Sequence, residues 1–569
     1  MLYDLTMPSL TAKRIKGKIY YYLRECQRVD GKPKIVWQQY LGSAQQLVQR
    51  MVPPQPQSAL VRDYGAVVAA LGMAQQLDLV SIIDRHVPKQ GQGPTVGQYL
   101  LVACLNRCVA PRSKAQIAEW HAKTVLPARL GLKASQLTSQ RFWDNMDRLD
   151  ADAIAHIEQE IAAGAVARFG LDLRCLLFDA TNFFTFVDSF NPRATLPQRG
   201  HSKEGRDNLR LLGLALLVSA DGDVPLLHHP YAGNQSDSVT FATLTDQLTQ
   251  RCRQLSQQVT DITLVFDKGN NSRANLAALE QSTLHFVGSL VPTQHPDLLA
   301  IPRRRFHALH PQRLPGVWAY RTTQKIFGVT RTVVVTYNEK LFQAQLQTLQ
   351  REITKRRQAL AELTASLQRH HRQPSPGLKP TLEGTQNRVA TWLTARHMKQ
   401  LFSVQVQAGP GGLPQLDWSF NSKAWRQLQQ TLLGKTLLFT DRADWNDQQI
   451  VEAYRSQFHV EAAFRRLKDP HWLTFRPTFH WTDQKLRVHA FYCVLALMIL
   501  SLMRRQLARA GISLSVARMM DRLADIRQVV TLYPTSKGQR PRSHTLLTDC
   551  DAEQKAILEA LQLSSSLIL

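Results

Sequence analysis

The order of apolar and polar residues divides the chain into blocks of different character. Residues 19–41 hold two β-rich runs, "IYYYLREC" and "KIVWQQYLG", on either side of an Asp30-Gly31 turn, which predicts a hairpin. "VPPQPQS", Val52 to Ser58, reads as a linker. From about 60 to 170 the spacing is helical, as in "TVGQYLLVACLNRC" and "DADAIAHIEQEIAAGAVARF". A small helical domain next to a basic hairpin is a plausible reader of a DNA end, although no helix-turn-helix pattern names recognition residues. The longest apolar run, Ala490 to Met503, has 14 residues, too short to span a bilayer and suited to a buried helix.

At 171 the pattern changes. "LRCLLFDATNFF" predicts a buried strand ending at Asp179, and "LRLLGLALLVSADGDVPLLHH" predicts a hairpin around an Asp-Gly turn. "SDSVTFATLTDQLTQRCRQL" places Val239, Phe241, Leu244 and Leu248 on roughly one helical face, with Ser236 or Asp237 as cap. "DITLVFDKGNNS" predicts another buried strand, ending at Asp267. Strand, hairpin, helix and strand make a mixed α/β core.

Between roughly 310 and 440 short strand patterns return: "GVWAYRT", "RTVVVTY", "FSVQVQ" and "KTLLFT". Among them Leu346, Leu349, Ile353, Leu360, Leu363 and Leu367 fall at heptad a and d spacing, interrupted by Arg356. This fits one helix of a coiled-coil-like arm, or an ordinary long amphipathic helix. The expected units are therefore 1–58, 59–170, 171–310, 311–440 and 441–569.

The balance of charge adds a partner. Seventy Lys and Arg against 44 Asp and Glu leave +26, with a pI near 10, and a polyanion such as nucleic acid is the first candidate. The seven cysteines are scattered without a C-x-x-C pair, which supports neither a zinc ribbon nor a disulfide framework. Cys104 and Cys108 read as core. No signal peptide is legible, and a soluble, cytoplasmic protein is expected. His228-His229 and His370-His371 lack zinc-site spacing, and His489 reads as a satisfied core or boundary histidine. Trp318, Trp418 and Trp445 are expected to be buried in or beside the β-rich segment.

Chemistry enters at three carboxylates. Asp179 and Asp267 end separate buried strands, and strands of one sheet can bring their ends together. Two close carboxylates repel unless a cation neutralises them, and hard oxygen donors suit Mg²⁺ or Mn²⁺. The third is Glu461 in "YRSQFHVEAAFRRLKDP", Tyr454 to Pro470. Asn446 and Gln449 form a capping box and Asp469-Pro470 stops the helix. Tyr454, Glu461 and Lys468 are seven apart, hence on nearly one face, with Phe458 and Phe464 expected as anchors. Each residue alone has a plainer role: a turn former for either aspartate, an i,i+4 partner of Arg465 for Glu461. The reading requires all three to share one cation site.

These residues together resemble the DDE transposases of bacterial insertion sequences, specifically the group with the signature Tyr, two residues, Arg, three residues, Glu, six residues, Lys. Tyr454, Glu461 and Lys468 match. Gln457 stands at the arginine position, with Arg455 two residues earlier. The stretch Gly200 to Ser238, with Lys203 and Arg206, is similar to the family's segment between its two aspartates. The resemblance implies an RNase H-like core, β-β-β-α-β, interrupted before the last catalytic helix by a mostly β insertion. The 193 residues between Asp267 and Glu461 leave room for it. It further implies Asp179, Asp267 and Glu461 as catalytic ligands of two metal ions. Tyr454, Arg455, Gln457, Arg465, Lys468, Lys203 and Arg206 become candidate DNA contacts. The implied activity is cleavage at the ends of the protein's own element and strand transfer into target DNA, by a dimer or larger multimer on paired ends. An RNase H-like nuclease without strand transfer and an inactive DNA-binding relic are the alternatives.

Overall fold

The computed structural model describes residues 8–29, 31–51, 55–89, 91–255, 261–372, 379–476, 478–533 and 542–563. The N-terminal hairpin is there, enlarged by one strand: β1 (Ser9–Ile15), β2 (Lys18–Val29) and β3 (Lys32–Ser43) form an antiparallel sheet. Lys16 and Gly17 join β1 to β2 with φ of 48° and 80°, the left-handed pair that a two-residue hairpin turn requires. Asp30 and residues 52–54 of the expected linker lie outside the described residues. Ser58 does not end a linker but opens β4 (Ser58–Asp63), so the helical run begins at Gly65.

The helices from Gly65 to Phe169 pack on the rest of the chain. The helix Val96–Val109 lies along the apolar helix Asp483–Arg509, where Cys104 Sγ donates to Tyr492 O at 3.4 Å and Cys108 Sγ to Ala496 O at 3.6 Å. Both cysteines are core, and all seven are free. The helix Asp483–Arg509 is long and apolar enough to cross a membrane, but it is almost wholly buried inside the protein.

The central sheet begins with β5 (Cys175–Phe184), β6 (Leu211–Ser219) and β7 (Pro225–Ala232), an antiparallel meander. The helix Asp237–Leu255 leads to β8 (Thr263–Phe266), and the helix Arg273–Glu280 to β9 (His285–Ser289). β8 is parallel to β5, and β9 to β8. The spatial order β7-β6-β5-β8-β9 is third, second, first, fourth, fifth, the RNase H-like arrangement. In the helix Asp237–Leu255, Phe241, Leu244 and Leu248 are buried as expected. Val239 is 51% exposed, because two residues before Phe241 is the far side of a helix.

The insertion adds β10 (His307–Ala308), β11 (Val317–Ile326), β12 (Val329–Asn338), β13 (Phe402–Ala408), β14 (Pro414–Phe420) and β15 (Lys435–Thr440). β15 pairs with β9, and β12 with β15, so one sheet of nine strands runs through core and insertion. The arm is the 34-residue helix Glu339–Arg372. Its Leu349, Ile353, Leu360, Leu363 and Leu367 are buried within the chain, and the β13–β14 hairpin packs against it. Arg357 stacks on Phe420 at 4.1 Å, and Arg356 pairs with Glu352 at 3.0 Å. The heptad spacing thus describes an amphipathic helix covered by its own chain. Trp418 packs on Phe402 and Trp445 under Arg442, whereas Trp318 is exposed on β11.

The capping box of Asn446 and Gln449 opens a helix Asp447–Arg455, and a turn at Ser456 and Gln457 separates it from a second, Phe458–Lys468. The expected single helix is therefore two segments, stopping at Lys468 before Asp469-Pro470. Phe464 anchors the second in the core. Phe458 is 57% exposed, since it sits at the start of that segment and not on its buried side. Near the C-terminus β16 (Arg527–Tyr533) pairs with β17 (Arg542–Leu547) and with β4, a sheet that the sequence patterns above do not announce.

Candidate active site

Asp179 and Asp267 meet because β5 and β8 are parallel neighbours. The ladder pairs Cys175 with Thr263, Leu176 with Leu264 and Leu177 with Val265. Two residues beyond the last pair stand Asp179 on one strand and Asp267 after the other. Asp179 is not at a strand end as expected. β5 continues to Phe184 along β6, while its pairing with β8 stops at Leu177, so Asp179 lies where the two strands part.

Residues two apart on a strand share a face, and here that face meets the helices Asp447–Arg455 and Phe458–Lys468. Cys175 Sγ lies 3.5 Å from Ser456 Oγ, and Lys468 Nζ donates to Thr181 Oγ1 at 3.0 Å. Asp179 stands between these contacts. Asp267 Oδ1 accepts from Ser289 Oγ at 3.0 Å and from Tyr454 Oη at 3.4 Å. Burial and the charge of Asp267 push the Tyr454 hydroxyl up to about 12, with a smaller push from Glu461. Tyr454 is thus a neutral donor at ordinary pH, and Glu461 is near enough for its charge to act there. Glu461 itself is exposed in the first turn of its helix, where the helix dipole favours a carboxylate.

The loop 200–207 closes over the end of β5. Asn182 Nδ2 donates to His201 O at 2.9 Å, the Lys203 amide donates to Asn182 Oδ1 at 3.2 Å, and Lys203 Nζ donates to Ala180 O at 2.8 Å, next to Asp179. Glu204 draws Lys468 (3.3 Å) and Arg476 (2.8 Å) together. Arg206 stacks over Phe184 at 5.7 Å, further along β5. Arg455 and Arg465 are exposed, and Gln457 lies in the turn between the two helical segments. Beside Asp267 and Tyr454 a cavity of about 470 Å³ opens toward the arm helix, with Lys268, Arg396 and His397 on its wall.

The three carboxylates are not preassembled. Among the described residues no group of three or more His, Cys, Asp or Glu side chains is placed to hold a metal ion. Their chemistry still suits Mg²⁺, which commonly takes one or two protein carboxylates and completes its shell with water and substrate phosphate. The two aspartates stand at matching positions beyond the β5–β8 ladder, and the charge of Glu461 reaches Tyr454 beside Asp267.

Sequence reasoning missed the residues that hold this arrangement. Asp223, buried in the β6–β7 turn, accepts from Arg466 Nη2 at 2.5 Å, from Arg504 Nη2 at 2.6 Å and from His459 Nδ1. Two of these donors flank Glu461 on one helix, and Arg504 comes from the helix Asp483–Arg509. The seven-residue spacing of His459 and Arg466 was the legible signal. Ser289, Glu204 and Arg476 carried none. His489 is a satisfied core residue, bonded to Tyr492 Oη and, at 2.7 Å, to Phe475 O. His228 is likewise buried, on Glu158.

The family model for the transposase DDE domain matches residues 174–499, more than half of the chain, and the chain belongs to that family. Comparison with curated proteins finds no match. Among solved structures, a piggyBac transposase synaptic complex with hairpin DNA is similar at 9% identity and a TM-score of 0.37, covering 80% of this chain and 79% of that one. A Mos1 transposase paired-end complex with a left transposon end is similar at 14% identity and a TM-score of 0.15, covering 37% and 63%.

Proposed function

We propose that the protein is the transposase of an insertion sequence, cutting DNA strands at the ends of its own element and joining them to target DNA as a multimer on paired ends. The observation that carries this reading is the placement of Asp179 and Asp267 beside each other on parallel strands, under the helices that carry Tyr454, Glu461 and Lys468. Family membership and a charge of +26 point the same way.

Asp179, Asp267 and Glu461 are the residues to hold Mg²⁺ or Mn²⁺. Two such ions, when bound, would supply the Lewis acidity that activates a water or a 3′-hydroxyl and the charge that steadies the leaving oxygen in displacement at phosphorus. The remaining tasks belong to the chain itself. Tyr454 and Ser289 fix the orientation of Asp267. Lys203 and Lys468, held next to Asp179 by Ala180 O and Thr181, supply positive charge where a phosphate would lie. Arg455, Gln457, Arg465 and Arg206 extend that charged and polar surface outward.

The test is an oligonucleotide duplex copying the element's end, incubated with Mg²⁺ or Mn²⁺ and resolved on a denaturing gel. Asp179→Asn, Asp267→Asn and Glu461→Gln should each lose cleavage by more than the roughly 10- to 100-fold typical of a lost supporting hydrogen bond, with DNA binding retained. Cleavage without joined products would favour a nuclease lacking strand transfer. Indifference to all three substitutions would sink the enzyme reading.

A further inference from the structure

We propose that Glu204 keeps the place of a DNA phosphate. In the free protein its carboxylate sits between Lys468 and Arg476, and a strand must displace it to engage them. The inference rests on the reading that the chain works on DNA, and deepens it by naming a residue that sets how readily the site admits a strand.

The two cations do not need Glu204 to hold them. Lys468 Nζ donates to Thr181 Oγ1 at 3.0 Å and lies over the Phe183 ring at 5.4 Å. Arg476 Nη2 donates to Lys468 O at 3.1 Å, and its guanidinium lies over the Phe184 ring at 4.6 Å. Their anchors belong to β5 and to the end of the helix Phe458–Lys468, so both keep their places without a counter-charge. Thr181 is two residues from Asp179 on the same face of the strand. The paired cations therefore stand beside the candidate catalytic carboxylates.

Glu204 is held less well than the groups it joins. Arg476 Nη1 donates to Oε2 at 2.8 Å. Oε1 lies 3.3 Å from Lys468 Nζ, yet it is buried and among the described residues accepts no hydrogen bond. A phosphate, with more acceptor oxygens, suits an ammonium and a guanidinium better. The carboxylate projects from a turn closed by its own neighbours: Glu204 N donates to Ser202 Oγ and Gly205 N to Ser202 O, both at 3.2 Å. Gly205 has a φ of 70°, the left-handed conformation that glycine adopts without strain. Rotation of the Glu204 side chain leaves that turn intact. The three side chains are 22–25% exposed, so a strand can reach them. Until it leaves, the carboxylate neutralises both cations and repels an approaching phosphate.

The experiment uses the full chain carrying Asp267→Asn, so that bound DNA stays uncut. Fluorescence anisotropy of a labelled duplex copying the element's end is read at one salt concentration, since affinity depends on salt. Glu204→Gln keeps the shape and deletes the charge, and should tighten binding roughly 3- to 30-fold, as expected from freeing two partly exposed ion pairs. Asp469→Asn removes the same charge one residue from Lys468, where the carboxylate turns to His471, and should tighten binding far less. In a chain that already carries Lys468→Gln and Arg476→Gln, Glu204→Gln should gain nothing. A residue that merely positions the two cations predicts the opposite sign, weaker binding in Glu204→Gln.

Weaker or unchanged binding, equal tightening by Asp469→Asn, or a gain that survives loss of both cations would each overturn the proposal. So would a Glu204→Gln chain whose circular dichroism shows it unfolded, because Glu204 would then be holding the fold. Cleavage of the same duplex by the chain with Asp267 restored is scored separately. If cleavage occurs and Glu204→Gln does not tighten binding, only the role of Glu204 falls; if binding tightens and no cleavage is seen, only the catalytic reading does.

Discussion

Arg466 Nη2 lies 2.5 Å from Asp223 Oδ2, and His459 of the same helix reaches the other oxygen of that carboxylate. Through this pair the turn between β6 and β7 grips the helix that carries Glu461, while Arg504 ties the same carboxylate to the helix Asp483–Arg509. Three donors on one buried acid fix the orientation of the helix on the sheet, beside the apolar contacts of its Val460, Phe464 and Leu467.

Removing that acid leaves buried positive charge without a counter-charge. Asp223→Asn should therefore destabilise the protein by about 3–5 kcal/mol, read as a lower urea midpoint. Burial pushes the Asp223 carboxyl up, but the His459 bond and the charges of Arg466 and Arg504 outweigh it and hold it below the ordinary range. A depressed carboxyl contributes stability that is complete above its unfolded value, near 3.9, and is lost as pH falls through the folded value. The acid limb of the stability curve, below about pH 4, should be shallower in the variant.

Lys114 offers the opposite sign. It is buried, donates to Tyr492 Oη and stands near Arg107; burial, then the Arg107 charge, pull its ammonium from 10.5 down to about 7. Between those values the unfolded chain holds a proton that the folded protein does not, so this group's contribution rises with pH across that window. At lower pH it is a charge confined in the core. Lys114→Met should raise the melting temperature at pH 6 relative to wild type by more than it does at pH 9.

Tyr454→Phe keeps the ring and deletes the donor to Asp267. Cleavage should fall roughly 10- to 100-fold, with stability changed by about 1 kcal/mol. Because the hydroxyl titrates only near 12, the pH profile of cleavage below pH 9 should have the same shape in both proteins.

Lys468→Ala removes the bond to Thr181 and the pairing with Glu204. If Lys468 meets one phosphate, the salt slope of DNA binding should fall by about 0.9, measured by anisotropy on the end duplex. An unchanged slope would assign Lys468 to internal pairing alone.

Much of the core was legible because its signals are local. The buried strands that carry Asp179 and precede Asp267, the Asp-Gly hairpin, the four insertion strands and the box at Asn446 all depend on neighbours within a few residues. The missed features depend on distant partners. β4 finds β16 more than 460 residues away. The turn at Ser456 interrupts an otherwise helical pattern, with Ser456 Oγ beside Cys175 and donating to Ala453 O. The heptads of the arm fitted a coiled-coil helix or an ordinary amphipathic one, and the apolar stripe is in fact served by a β hairpin, because periodicity does not name what covers it.

By itself, the sequence determined the chemistry available: three hard carboxylates, a cationic helix with Tyr454 and Lys468 in step, and a strongly positive chain. Only the tertiary structure decided how these groups stand. It put Asp179 and Asp267 side by side through parallel pairing, left Glu461 at their edge, and gave Lys468 and Arg476 to Glu204. The reason is physical: composition and period are properties of short stretches, whereas the distance between two charges is set by strand order and by which buried groups must find partners.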